Sequence, residues 1–353
     1  MKKLEKEAII LLKQLISTPS FSKEEKDTAE IIASYFISKS IPFQRKNNNI
    51  WVINKYFDAQ LPTVLLNSHH DTVRPNKGYT RNPFEPSVER GKLYGLGSND
   101  AGGCLVSLMA AFVYYYDKEL PYNLVLAASA EEEISGKNGI ESLICTLPQI
   151  NCAIVGEPTL LQMAVAEKGL MVVDATVRGK AGHAARDEGI NAIYEALDDL
   201  QTIKSYAFKK TSDFLGPSKV SATMIQAGTQ HNVVPDTCTY TLDVRVNDAY
   251  SLEEAFDELA AVLKASLVPR SMRLSSSRID LEHPMVKTAK NMKIKLFGSP
   301  TLSDQALIPF PSVKIGPGDS ARSHSPDEFI FVEEVEEGIS LYINLLNNYF
   351  YPD

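Results

Sequence analysis

Long apolar runs and concentrated positive charge are what this chain has least of. No stretch of about 18 apolar residues is present, so the sequence offers no membrane-spanning helix. Near the N-terminus the longest uninterrupted apolar run is Ala8 to Leu12, shorter than a signal peptide requires. Leu4, Ala8, Leu11, Leu12 and Leu15 recur there at helical spacing and predict an amphipathic helix of the mature protein. With 36 Lys and Arg against 44 Asp and Glu, the net charge of −8 disfavours nucleic acid and anionic membrane as partners. Cysteine is scarce. Cys104, Cys145, Cys152 and Cys238 form no C-x-x-C pair and sit in or beside apolar segments. They read as free thiols packed like small hydrophobes in a reducing cytoplasm, with disulfide pairing as the alternative. The chain also lacks an internal repeat, a Walker loop, a G-x-S-x-G elbow and an HExxH helix. Gly95-Leu96-Gly97 begins a dinucleotide fingerprint, but Asp100 stands where the third glycine belongs.

What is present is an ordinary globular composition, 44% apolar and 23% charged, over 353 residues. That length suits two domains, or one large α/β domain. Ser22-Lys23-Glu24-Glu25 reads as a capping box opening a second helix to about Ser38. Apolar runs then alternate with helical stretches: Thr63 to Asn67, a helix from Gly102 to Tyr116, Asn123 to Ser129, a helix from Lys137, and Cys152 to Gly156. This pattern predicts an α/β domain with a mostly parallel, buried sheet and helices on both faces. From Gly169 the texture changes. Leu170 to Val177, a helix from Asn191 to Lys204, strands at Val220 to Gln226 and Thr237 to Val246, and a helix from Leu252 to Ala265 suggest a small α+β domain. After His283 the earlier style returns, with a short strand at Val313 to Ile315 and a last helix from Val332 to Asn348. The expected division is therefore 1–168 with 280–353, interrupted by an inserted lid or dimerisation domain at 169–279.

Acidic and histidine residues cluster at the ends of these apolar runs. They are His69 and Asp71 in LLNSHHD, Asp100 in GLGSNDAGG, Glu131, Glu132 and Glu133 in SAEEEISG, Glu157 in IVGEPT and His324 in ARSHSPDE. Ligands of open α/β sheets bind beyond the carboxyl ends of the strands, so these groups can converge on one rim. Taken singly, each has a plainer explanation: a solvated loop histidine, a helix cap, a surface turn. Three carboxylates behind a buried strand are harder to explain without cations or solvent. Histidine and carboxylate ligands without cysteine suit a catalytic zinc site, with cobalt or manganese as substitutes. Two such ions about 3.5–4 Å apart can hold and acidify a water and polarise a carbonyl, leaving a free glutamate as general base.

The motifs SHHD, GLGSNDAGG, EEEISGKNG, VGEPT, GKAGH, HNVVPD, LDVR and GPGDSARSHSPDE, in this order, resemble those of the co-catalytic zinc deacylases and exopeptidases. That family includes acetylornithine deacetylase, succinyl-diaminopimelate desuccinylase, aminoacylase and glutamate carboxypeptidase. The similarity runs over nearly the whole chain. It implies two divalent metal ions, zinc foremost, with His69 and Glu157 on one, Glu133 and His324 on the other, and Asp100 bridging. Glu132 is then the general base and Asp71 the partner that orients His69; the alternative register makes Glu131 the base and Glu132 the ligand. In the inserted domain the resemblance implies that His183 reaches the substrate carbonyl oxygen, often across a dimer interface, and that Asn232 and Arg245 hold the substrate. The implied activity is hydrolysis of an N-acyl amino acid in the cytoplasm, by a homodimer, most like acetylornithine deacetylase of arginine biosynthesis. Related deacylation, peptidase activity and a non-catalytic binding relative are the alternatives. His70, Arg74, His231 and Arg322 receive no role from the family; His70, Arg74 and the stretch around Arg322 are candidates for shaping the acyl or side-chain pocket, either arginine by binding a second carboxylate.

Overall fold

The computed structural model describes residues 1–186 and 188–352. The chain forms two compact units, one of Met1–Val165, Ile279–Phe297 and Ser303–Asp353, the other of Ala166–Arg278 and Gly298–Leu302. Residues 298–302 thus group with the second unit, where a side chain at Gly298 would collide with the Phe214 backbone and Leu215.

In the first unit, strands Asn123–Ser129, Thr63–His69, Cys152–Val155 and Ser312–Lys314 lie side by side and run parallel. Asn49–Ile53 and Gln44–Lys46 extend the sheet antiparallel on one side, and Met163–Glu167 does so on the other. Every residue of Thr63–His69 and Asn123–Ser129 is buried, as strands covered on both faces require. The two covers are unlike. One face carries the helix Gly103–Tyr115, apolar almost all round and packed against helices Lys2–Ile16 and Val332–Phe350. Tyr115 donates its hydroxyl to Ile343 O and Tyr342 donates to Ile315 O, so these buried phenols are satisfied. The other face, with Leu65, Val125 and Val155, is covered by Ile140 and Leu143 of the short helix Ile140–Ile144 and by Ile308. Each fully buried side chain of this kind contributes about 1.5–3 kcal/mol.

The expected capping box does not form. The second helix begins at Lys26, and its cap residue Glu25 makes no side-chain cap bond. Ser22 instead donates to Asp71 Oδ2 at 2.7 Å, while the Glu25 carboxylate accepts from Lys23 N, Asn48 Nδ2 and Glu131 N. Long-range partners outcompeted a local cap. The helix expected from Lys137 is also shorter, running Ile140–Ile144.

The second unit is a four-stranded antiparallel sheet in the order Lys219–Ala227, Thr237–Val246, Gly169–Arg178, Ser266–Pro269. Met171, Val173, Ala175 and Val177 alternate inward and pack with residues of helices Ala192–Ser205 and Leu252–Ala260. The latter helix has a complete capping box, Ser251 with Glu254. All four cysteines are free, Cys145 exposed and the others buried. No helix among the described residues is long and apolar enough to cross a membrane.

Candidate metal centre and active site

Each proposed ligand leaves the sheet where its strand or loop requires. His69 ends the strand Thr63–His69, while Glu132 and Glu133 form the turn after Asn123–Ser129. Glu157 follows Cys152–Val155, and Asp100 lies in the turn Ser98–Gly102 before the long helix. The structure gathers these side chains into two groups that share Asp100: His69, Asp100 and Glu157, and Asp100, Glu133 and His324, each with ligand atoms within 4.8 Å of one another. Asp100 presents Oδ1 to His69 Nε2 at 3.4 Å and Oδ2 to His324 Nε2 at 3.7 Å. One carboxylate therefore faces two imidazoles with separate oxygens, the arrangement a bridging ligand needs.

The histidines present the right atoms. His69 Nδ1 donates to the Asp71 carbonyl at 3.0 Å, which in the neutral ring leaves the lone pair on Nε2. That Nε2 is buried, has no hydrogen-bond partner among the described residues, and lies 3.8 Å from Glu157 Oε1 and 3.9 Å from Glu132 Oε2. His324 Nε2 is 2.9 Å from Glu133 Oε2. Electrostatics point the same way. Burial drives Glu132 well above the usual carboxylate range and Glu157 up to about 8, and neighbouring acids push in the same direction. His69 resists the effect of its burial. The carboxylates of Asp100 and Asp71, each 3.4 Å from a ring nitrogen, and the fields of Glu132 and Glu157 raise its pKa well above that of free imidazole. His324 rises to about 9, chiefly through its bond to Glu133. A buried group of acids short of positive charge, with an orphaned imidazole nitrogen aimed at it, fits divalent cations.

Asp71 does more than orient His69. Its Oδ1 is 3.4 Å from His69 Nδ1, and its two oxygens also accept from Glu132 N and Glu133 N at 3.0 and 3.2 Å. One buried acid thus fixes the imidazole and the turn that presents the neighbouring glutamates. Glu131 is turned away. It adopts a left-handed φ of 56°, and its carboxylate accepts from Asn138 N and Nδ2. Among the three consecutive glutamates, the structure brings Glu132 and Glu133 to the cluster.

Glu328 closes the GPGDSARSHSPDE motif, and the sequence assigns it no role. It is buried, and its carboxylate accepts from Gly97 N, Asn99 N and Asp100 N at 3.0, 2.8 and 2.9 Å. This ties the Asp100 turn to the loop that carries His324. Gly97, at φ 73°, makes the turn possible, since an added Cβ would sit 2.6 Å from Thr72 Cγ2. Asp327 holds the same loop by accepting from Thr80 N and Arg81 N at 2.9 Å each.

Three of the four residues without a family role have partners of their own. His70 is buried between Thr28 Oγ1 and Asn48 O, and burial lowers its pKa to about 4. Arg322 forks onto Glu334 at 2.7 and 2.6 Å and packs over Phe329. Arg74 pairs with Glu24 at 2.6 Å and lies over the Phe21 ring. Both arginines pair with glutamates of their own unit, Arg322 through two bonds and Arg74 through an exposed contact. His231 is exposed.

His183, Asn232 and Arg245 belong to the second unit. His183 is exposed on the short pair Gly182–His183 with Val233–Val234, and Ala184 N donates to Asn232 O at 3.0 Å, so His183 and Asn232 are neighbours. Ala185 N donates to His183 Nδ1, which in the neutral ring places the proton on Nε2 and makes that atom a free donor. Arg245 lies on the strand Thr237–Val246, its fork held by Asp243 at 2.8 and 3.0 Å.

A sequence model of peptidase family M20/M25/M40 matches residues 65–348. The chain belongs to this family. Among curated relatives, it is 28% identical to the acetylornithine deacetylase of Proteus mirabilis (strain HI4320), over 97% of this chain and 96% of that protein. It is 24% identical to the succinyl-diaminopimelate desuccinylase of Wolbachia pipientis subsp. Culex pipiens (strain wPip), over 97% and 93%. Its fold is similar to that of aminopeptidase PepT from Bacillus cereus, with TM-score 0.79 and 18% identity over 98% of each chain. It is also similar to the YXEP protein of Bacillus subtilis, a dinuclear metal-binding peptidase of the M20 family, with TM-score 0.73 and 16% identity over 98% of each. An α/β fold with a central, mostly parallel sheet is common to this M20 hydrolase and these neighbours.

Proposed function

We propose that this M20 hydrolase cleaves the amide bond of an N-acyl amino acid, releasing the free amino acid and a carboxylate. N-acetylornithine is the first candidate, followed by N-acetyl- or N-succinyl-citrulline or N-succinylornithine, with a cytoplasmic role in arginine biosynthesis. The observation that carries the proposal is the pair of ligand groups sharing Asp100, with Glu132 in neither group and its Oε2 3.9 Å from His69 Nε2. The proposed ligands are His69, Asp100, Glu133, Glu157 and His324, and the proposed ions are two zinc, with cobalt or manganese able to replace them. When bound, such ions lower the pKa of water and polarise a carbonyl.

Glu132 is the proton carrier in this scheme. Its carboxylate accepts a proton from the attacking water and delivers it to the leaving amine nitrogen. Asp71 keeps Glu132 in place through the backbone amide of the turn. The second unit serves as a lid and dimerisation domain that contributes His183, Asn232 and Arg245 to the bound substrate. His183 donates Nε2–H to the developing oxyanion, a role its tautomer suits. Asp243 occupies Nε and Nη2 of Arg245 and orients the guanidinium, whose Nη1 end takes the α-carboxylate. Support for a homodimer comes from the edge strand Lys219–Ala227, which exposes Met224 and Ile225, and from Tyr194 and Leu197 exposed on the helix that contacts it.

A panel of acetylated and succinylated ornithine, citrulline, lysine and diaminopimelate, run beside dipeptides, tests the substrate class. Turnover of acylated α-amines is expected. Hydrolysis of succinyl-diaminopimelate or of dipeptides alone would reverse the order in favour of a desuccinylase or a metallopeptidase. A protein that binds zinc and turns over none of them would point to a binding relative. A fully active monomer in sedimentation would remove the dimer from the scheme.

A further inference from the structure

Asp304 is a buried acid that neither the ligand groups nor the proton transfer employs. It opens the turn Asp304–Leu307, and its Oδ2 accepts from Asn67 Nδ2 at 2.7 Å and from Ser129 Oγ at 2.6 Å. Both donors ride the strands that build the centre. Asn67 precedes His69 by two residues, and Ser129 is the register partner of His69 across the parallel pair. Residues two apart in a strand share a face, as do register partners, so Asp304 sits on the sheet face from which His69 projects. Among the described residues no hydrogen bond reaches its other oxygen. The charges that bear on Asp304 include His69 and Asp71, and its own bears on Glu132 and Glu157.

A carboxylate is a costly way to accept two neutral donors. The amide oxygen of an asparagine would take both bonds without burying a charge. An acid placed among other acids raises the energy of the empty centre, and that cost is recovered only when positive charge arrives.

We infer that Asp304 is a positioning residue for the cations: a buried negative charge that deepens the potential at the His69 group and tightens its hold on divalent metal without being a ligand. The inference rests on the proposed two-ion centre. Outer partners of this kind typically change metal affinity by about 10- to 100-fold.

Asp304→Asn and Ser129→Ala separate the charge from the clamp. The first keeps an acceptor for Asn67 and Ser129 and removes the charge; the second keeps the charge and removes one bond. Zinc affinity is read by competition with a chromophoric chelator, and the thermal midpoint is read on metal-stripped protein. The expected result is about a 10- to 100-fold loss of zinc affinity in Asp304→Asn, with a metal-free midpoint that holds or rises as repulsion with Glu132 and Glu157 is relieved. Ser129→Ala should keep wild-type affinity. Unchanged affinity in Asp304→Asn, or a lowered metal-free midpoint there with a parallel loss of affinity in Ser129→Ala, would overturn the inference and leave Asp304 a clamp. Should Asp304→Asn not fold, Ser129→Ala decides: retained affinity supports the charge and lost affinity overturns it. Wild-type protein that binds no zinc would instead bring down the centre itself.

Discussion

His69 and His324 face opposite oxygens of Asp100, but the protein holds them by different means. His69 ends a central strand, with 1% of its side chain exposed. His324 rides a loop at φ 57°, with 55% of its side chain exposed. The first ligand group inherits its geometry from a sheet packed on both faces. The second depends on pins: Glu328 on the Asp100 turn, Asp327 on Thr80 and Arg81, and Asn76 Nδ2 on His324 O. Preorganisation is therefore built into one half of the centre and assembled by side chains in the other, so the two proposed ion sites should differ in affinity and in their weight in folding.

The largest effect expected is common to both halves. Glu132→Ala should lower turnover by about 10²–10⁴-fold, the usual worth of a general base, while metal analysis still finds both ions. Undiminished activity would remove Glu132 from its role.

The next experiment asks the two halves to differ. In metal-stripped protein, His69→Ala leaves Asp71 and Asp100 buried without their imidazole, a loss expected at about 3–5 kcal/mol. His324→Ala removes a half-exposed ring and should cost no more than about 1 kcal/mol. Urea denaturation measures both, and equal losses would erase the distinction between strand-held and loop-held ligands. A zinc titration of the stripped wild-type protein sharpens the same point. The first equivalent should raise the thermal midpoint more than the second; an ion at 100 times its Kd adds about 2.7 kcal/mol. Two equal steps would mean equivalent sites.

The smallest effect belongs to the rim. Arg74→Ala breaks an exposed pair with Glu24, and its cost should stay within about 0–1 kcal/mol, with KM unchanged for acetylated and succinylated substrates alike. A rise in KM confined to succinylated substrates would return Arg74 to the binding of a second carboxylate.

Much of the site was legible in the residues themselves. Buried parallel strands must end at a rim, and His69, Glu132, Glu133 and Glu157 stand at such ends in the sequence. The register within Glu131-Glu132-Glu133 was not legible from the residues. It depends on the left-handed backbone at Glu131 and on Asn138 capturing that side chain, neither of which has a local signature. The misplaced capping box has the same origin. Ser22 and Glu25 look like a local pair, yet Ser22 bonds to Asp71 and the Glu25 carboxylate is shared by Lys23 N, Asn48 and Glu131. Arg322 looked available because its partner Glu334 comes 12 residues later, across a turn and a strand.

By itself the sequence determined the periodicities that make this an α/β protein, the motifs that place it in its family, and the order in which acids and histidines reach the rim. Those properties reside in neighbouring residues and survive in any window of the chain. Tertiary structure alone decided which oxygen of Asp100 faces which imidazole, how the chain turns Glu131 away from the cluster, and that Glu328 and Asp304 stand behind the ligands. Such choices depend on hydrogen bonds between segments up to 248 residues apart, and their strength comes from burial that exists only once the sheet and its two covers have closed.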